Sequence, residues 1–358
     1  MKRAIGPHPQ PLSQSWERGA GTPERDGSSG ADGVRQRPLR STDIEAICRR
    51  AFGAGVHLDG VRALDGGTVN MTYRLDVAGE PACVLRVAPS PGVVERGPSW
   101  LSPLGLRREY ALTPLLAPVA PLLPRTLAAD FTRQLLDRDW VIQSIVAGTP
   151  WSELEDGLTA DERADLWRQL GTLTRAIHAV EGDAFGAPDQ PRATWFDVVR
   201  EDLDGIQRDW WRFDLPHPEG VAELCRVVER NRTVLDAMGA PRLVHSDLDP
   251  RHVFVARGPD GRLRISGLID HEYGRFADPA SESMLVWFAG ESAAPAAFFE
   301  TYGSPLDDET SRWRSLVYRA VALGWATADA AHLGRVDSAR ETSADLQTVV
   351  DVVLRRRG

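Results

Sequence analysis

The chain has 358 residues and a formal net charge of −9. That length suits two lobes of moderate size rather than one small core, and the acidic balance excludes general nucleic-acid binding, which needs a basic face. No apolar run approaches the ~18–20 residues needed to cross a bilayer, so no membrane partner is expected. Cys48, Cys83 and Cys225 are scattered without a CxxC pair. This excludes a disulfide framework or a zinc knuckle and points to a reducing, cytoplasmic compartment. Lys2 is the single lysine, so any phosphate clamp in the body of the chain falls to arginine.

Residues 1–38 are rich in Pro, Gly, Ser and Arg without apolar period, and a disordered tail is predicted. No apolar stretch follows the basic start, so this is not a signal peptide. Pro7-His8-Pro9-Gln10-Pro11-Leu12 reads like translated non-coding repeat, which places the expected start downstream, near Val34. A helix is predicted from Ser41/Thr42, with Thr42 and Glu45 at capping-box spacing and Ile44, Ile47, Cys48 and Phe52 on one face. Three apolar runs, 56–64, 71–77 and 82–87, are split by the turns Asp65-Gly66-Gly67 and Ala78-Gly79-Glu80-Pro81, the pattern of an antiparallel sheet. Residues 103–117 read as a helix, and 125–131 and 139–146 as two further strands. Ala147-Gly148-Thr149-Pro150 breaks the chain, and the lobe boundary is placed there: 39–147 and 148–358. Beyond it the pattern is mostly helical, with helices predicted at 159–178 (capped by Thr159 and Glu162), 194–211, 219–238, 281–289, 311–333 and 340–355. Element order is therefore α+β.

In the middle of these helices lies a polar loop, Leu243-Val244-His245-Ser246-Asp247-Leu248-Asp249-Pro250-Arg251-His252-Val253-Phe254-Val255. A second strand edge, Gly267-Leu268-Ile269-Asp270, follows the turn Gly258-Pro259-Asp260-Gly261. Pairing of these strands as a hairpin brings Asp247, His252 and Asp270 together. Phosphoryl transfer needs a carboxylate to orient the attacking hydroxyl, ligands for magnesium, and donors for phosphates. Asp247 suits the first task, and His252 with Asp270 the second. Gly66, Gly67, Asn70 and Thr72 form a turn able to cover phosphates with backbone N–H groups. Arg86, on the following strand, is placed to reach the phosphates, with Glu109 on the next helix to hold it.

The order Gly66-Gly67-x-x-Asn70-x-Thr72-Tyr73, Val84-Leu85-Arg86, Arg108-Glu109, His245-x-Asp247-x4-His252 and Ile269-Asp270 followed by Asp278-Pro279 resembles the aminoglycoside phosphotransferase family. These are protein-kinase-like small-molecule kinases, and the likeness covers roughly residues 40 to 290. Ile177-His178 followed by Phe185-Gly186 is similar to a secondary pattern of the family. The resemblance implies a bilobal protein-kinase-like fold and a cytoplasmic enzyme. That enzyme would move the γ-phosphoryl group of ATP or GTP, with Mg2+, to a hydroxyl of a small molecule, an antibiotic being the leading expectation. Two departures stand out. His252 replaces the usual asparagine, as in macrolide-kinase-like branches, and imidazole is a less favoured magnesium ligand than oxygen. Arg86 replaces the usual lysine and binds phosphate through a planar fork rather than as a point charge.

Several readings stay open in the sequence. His245 is expected to brace the loop through ring hydrogen bonds. Asp249 begins a turn before Pro250 or contacts the nucleotide; Glu272 is a second acidic ligand or a substrate-facing surface group. Glu109 pairs with Arg86 or is a solvated helix charge; Gly66 and Gly67 touch phosphate or only form a hairpin turn. Trp195, Trp210 and Trp211, amid Asp197, Glu201, Asp202, Asp204, Asp209 and Asp214, line an acceptor site or are helix core. Asp307-Asp308-Glu309 reads as a helix start. Competing functions are a nucleotide-binding pseudoenzyme, a sugar or amino-alcohol kinase, and a zinc hydrolase built on His245, Asp247 and His252. The acceptor, the choice between ATP and GTP, and the oligomeric state are not written in these residues.

Overall fold

A computed structural model describes residues 38–64, 69–288, 295–303 and 308–357. The tail with Lys2, the turn residues Gly66 and Gly67, and Asp307 lie outside them. The chain opens with α1 (Ser41–Phe52), β1 (Leu58–Ala63), β2 (Met71–Val77), β3 (Cys83–Val87), α2 (Pro91–Arg96) and α3 (Gly105–Leu112). A 3₁₀ stretch (Thr113–Leu122) leads to β4 (Thr126–Asp130) and β5 (Trp140–Ser144). Strands β1 to β5 form one antiparallel sheet in the order β1-β2-β3-β5-β4. In β3 the two-residue alternation buries Cys83, Leu85 and Val87 and turns Val84 and Arg86 to the other face. The buried face packs on Ile44, Ile47 and Cys48 of α1. The opposite face carries Thr72, Arg86 and Gln143, since Thr72 pairs with Arg86 and Gln143 with Val84.

The remainder is mostly helical: β6 (Thr149–Pro150), α4 (Trp151–Leu154), α5 (Ala160–His178), α6 (Trp195–Arg212), α7 (Pro218–Arg230) and α8 (Arg232–Leu235). Then come β7 (Arg242–Val244), β8 (Val253–Arg257), β9 (Leu263–Leu268), β10 (Arg275–Ala277), α9 (Ser283–Phe288), α10 (Ala296–Tyr302), α11 (Glu309–His332) and α12 (Val336–Arg357). The β8–β9 hairpin forms in antiparallel register, with Val253 opposite Leu268, and β6 joins it on the β8 side. Leu248, Val253 and Leu268 bury against Leu166, Leu170 and Ile177 of α5, Leu112 at the end of α3 and Leu116 just beyond it. A second core joins α6, α7, α11 and α12 around Trp195, Leu203, Val227, Trp313 and Val350. No helix among the described residues is long and apolar enough to cross a membrane.

Several local expectations change. The Thr42–Glu45 capping box does not form: Arg40 occupies the N-cap position and its guanidinium donates to Asp43 at 2.8 and 3.0 Å. The Thr159–Glu162 box does form. The helix expected over 103–117 ends as α-helix at Leu112, because Pro114, Pro118 and Pro121 lack the N–H that would continue it. The helix expected at 219–238 breaks at Asn231, and the last helix starts at Val336 rather than 340. The strand entering the polar loop, β7, pairs with β10 and not with the β8–β9 sheet. The loop therefore bridges two sheets.

Candidate active site

The end of β9 turns Asp270 toward the loop between β7 and β8, so that ligand atoms of Asp247, His252 and Asp270 lie within 4.8 Å of one another. Ser246 and Asp270 both adopt left-handed backbone, at φ 69° and 67°. For a serine this conformation is sparsely populated, and it persists because neighbouring contacts fix the loop. Glu282, wholly buried, supplies those contacts: it accepts from the backbone N–H of His245 at 2.8 Å and of Ser283 at 3.1 Å. His178 approaches Glu282 through Nε2 at 3.3 Å, and its Nδ1 lies 2.8 Å from the Tyr302 hydroxyl. Burial works to protonate Glu282, but His178 and the His245 backbone hold its carboxyl below the usual range. Asp249 makes the turn, accepting from the backbone and guanidinium of Arg251 at 2.7 and 3.0 Å.

His245 does not brace the loop in the expected way. Its ring is buried, packs edge-on to His271 with centroids 6.1 Å apart, and neither ring nitrogen meets a hydrogen-bond partner among the described residues. Burial lowers its pKa to about 4, so the ring is neutral, and the backbone N–H does the bracing.

His252 is fixed differently. Its Nδ1 lies 2.8 Å from the Asp247 carbonyl oxygen, which directs Nε2 toward Asp270 Oδ2 at 3.6 Å. Burial disfavours its charged form, but Asp247 and Asp270 outweigh burial and raise its pKa. Burial also pushes the Asp247 carboxyl up to about 6, with His252 opposing and Asp270 reinforcing. Asp270 is held below the ordinary range: burial works against this, and Arg86 and His252 overcome it.

Arg86 ties the sheet to this cluster. It donates through Nη1 to Glu109 Oε2 at 2.5 Å and through Nη2 to Asp270 Oδ1 at 2.6 Å. Glu109 is almost wholly buried and takes a second bond, 2.9 Å, from Gln143 on β5. Its carboxyl stays below the usual range because Arg86, helped by His271, overcomes burial. The solvated reading of Glu109 is therefore excluded.

Glu272 is likewise no surface group. It is buried, accepts from Asn70 Nδ2 at 2.7 Å, and is pushed up to about 8 by burial and then by Asp270. Gly105 opens α3 because a Cβ there would lie 2.5 Å from Glu272 Oε2. Asn70, Thr72, Arg86, Asp247, His252 and Asp270 all face one cleft of about 1070 Å³. Glu109 sits behind it, and Gly66 and Gly67 fall outside the described residues.

Sequence reasoning missed Glu282 altogether; the cue was a carboxylate four residues after Asp278 that had no assigned task. Asp278 itself is structural, accepting from Arg314 and the Tyr318 hydroxyl, both at 2.8 Å. Of the tryptophans, Trp195 is buried yet reaches the cleft, Trp210 is core, and Trp211 is 74% exposed.

The cluster's chemistry suits a divalent cation. Two carboxylates and an imidazole with its Nε2 directed inward converge on one point, and Arg86 neutralises what the ion does not.

Comparison with known proteins agrees with this architecture. Residues 60–316 match the model of the phosphotransferase enzyme family. A thermostable mutant of aminoglycoside phosphotransferase APH(4)-Ia superposes with a TM-score of 0.60 at 19% identity, covering 87% of this chain and 98% of that one. APH(2")-IIIa in complex with GDP and kanamycin gives 0.60 at 17% identity, over 86% and 97% of the two chains. A protein assigned as a fructosamine-3-kinase from Thermobifida fusca gives 0.59 at 16% identity, over 87% and 98%. No curated protein matches the sequence. The fold is the α+β, kinase-like one of these structures, and the chain belongs to the phosphotransferase enzyme family.

Proposed function

We propose that this protein moves the γ-phosphoryl group of ATP or GTP to a hydroxyl of a small molecule, an antibiotic or a sugar-like metabolite. The observation that carries this reading is the convergence of Asp247, His252 and Asp270 in one cleft whose other wall presents Arg86. Residues 39–147 serve as the nucleotide-holding lobe and 148–358 as the catalytic and acceptor lobe. Related folds bound to AMP-PNP, ADP and GDP support nucleotide use. Three unpaired cysteines fit a cytoplasmic setting.

Asp247 accepts the proton of the acceptor hydroxyl as its oxygen bonds to the γ-phosphorus and the bond to the β–γ bridging oxygen breaks, releasing the nucleoside diphosphate. With a pKa pushed up to about 6, Asp247 is mostly ionised at neutral pH and a better proton acceptor than an ordinary aspartate. His252 and Asp270 would hold magnesium, which neutralises phosphate charge when bound. Arg86, fixed by Glu109 and Asp270, brings its positive charge to the phosphates, and Asn70 and Thr72 border them. Such a transition state is loose, so positioning and charge govern the rate. The test is an acceptor screen read by the mass of phosphorylated product. An acceptor-dependent gain of one phosphoryl group supports the reading, and nucleotide binding without product from any acceptor would defeat it.

A further inference from the structure

The cleft continues past Asp247 to a wall built by α6, α9 and α11. Its surface is aromatic and aliphatic: Trp195, Val286, Trp287, Tyr318 and Trp325 face inward. Arg275 lies between two of the indoles, its guanidinium carbon 5.3 Å from the Trp195 ring centre and 5.6 Å from that of Trp325. Its Nη1 donates to Asp202 at 2.9 Å, and its buried Nε finds no partner among the described residues. Two carboxylates of this wall are already engaged, Asp202 by Arg275 and Glu201 by Arg192 at 2.8 Å, and Asp329 lies at its edge on α11. Arg208 adds another cation to the lining.

A polycationic amino sugar needs a free carboxylate or carbonyl for each ammonium, and here it meets the guanidinium groups of Arg275 and Arg208 beside two carboxylates that are already paired. An uncharged ring does the opposite: it covers the half-buried indoles of Trp287 and Trp325, which line the cleft.

We infer that the acceptor is an uncharged hydroxyl compound with an apolar ring body, seated against Trp287 and Trp325, and that polycationic amino sugars are poor ligands of this cleft. The hydroxyl rests on the phosphotransfer reading above; the choice of ring body rests on the wall alone.

Titration of tryptophan emission in the full-length protein, without nucleotide, tests the wall directly. Phenyl β-D-glucoside and 1-phenyl-1,2-ethanediol serve as neutral ring probes, and kanamycin as the polycation. The neutral probes should bind about tenfold or more tightly relative to kanamycin. Trp325→Ala should weaken them by about tenfold, while Trp325→Phe, which keeps an aromatic face and guards against misfolding, should retain most of the affinity. Kanamycin binding as tightly as the neutral probes, or neutral probes bound equally well by Trp325→Ala, would overturn the inference, as would the failure of both neutral probes to bind. A product-mass assay with Mg·ATP and Mg·GTP follows on the same probes. Selective binding without product would defeat the transfer reading and leave the ligand class standing.

Discussion

The two walls of the cleft are built on opposite principles. On the sheet side, Arg86, Glu109, Asp270, Glu272 and Asn70 form a dense, buried polar network in which most groups have a named partner. On the helical side, indoles flank one arginine, and Asp202 and Glu201 are spent on neighbouring guanidinium groups. On the proposed reading the first wall meets a nucleotide's phosphates, which present the same charges whatever the acceptor, so it can be rigid and specific. The second wall selects by shape and apolar area, where many residue combinations serve equally well.

The largest effect on this contrast should come from Arg86→Met. It strips the cation from three carboxylates at once, Glu109, Asp270 and Glu272, and an unpaired Glu109 in that burial should cost about 3–5 kcal/mol of stability. Nucleotide binding should fall with it, while binding of neutral ring probes to the helical wall should persist at temperatures where the variant remains folded. Adding Glu109→Gln should recover much of the loss in a denaturant titration; no recovery would mean the pair is not the unit described here.

His252 offers the next test. His252→Asn places an amide oxygen where the ring nitrogen stood, and turnover should stay within about tenfold of wild type because oxygen suits magnesium at least as well. His252→Ala, which supplies no ligand, should lose more and should need a higher magnesium concentration for half-maximal rate. Equal turnover in both variants would remove His252 from the metal site.

A smaller effect is expected at Asp278, which ties α11 to the loop region through Arg314 and Tyr318. Asp278→Asn should cost about 1–3 kcal/mol in unfolding by denaturant and leave nucleotide affinity unchanged. A change in nucleotide affinity would show that the two walls are coupled rather than independent.

Asp329, on α11 at the edge of the helical wall, gives the smallest effect and one that depends on pH. Burial pushes its carboxyl from 3.8 up to about 6, with Arg335 opposing. A raised carboxyl makes no difference below its unfolded value, and its penalty grows as pH climbs from the unfolded value to the folded one. The gain in melting temperature of Asp329→Asn over wild type should therefore rise between about pH 4 and pH 6 and then level off. A pH-independent difference by calorimetry would contradict the burial account.

Much of this contrast was already written into the residues. The β8–β9 hairpin, with Asp247, His252 and Asp270 at its mouth, follows from apolar runs and one turn signal. The exposure of Arg86 to the cleft follows from the two-residue alternation of Cys83, Leu85 and Val87. Such patterns are local, and local periodicity is what sequence carries best. The helical wall is assembled from segments as far apart as Trp195 and Trp325, and nothing in Trp195, Arg275 or Trp325 taken singly announces that they meet. Glu282 was illegible for the same reason, since its role is to accept from His245, 37 residues earlier. Glu272 and Glu109 were left open because a carboxylate on a helix or after a strand is solvated more often than not, and only tertiary packing buries these two.

The central claim is that Asp247 receives the acceptor's proton in a cleft that binds nucleotide without it. Once an acceptor is identified, the decisive measurement is turnover and Mg·nucleotide affinity of Asp247→Asn beside wild type. Turnover should drop by about 10²–10⁴-fold with nucleotide affinity little changed. Turnover near that of wild type would contradict the claim.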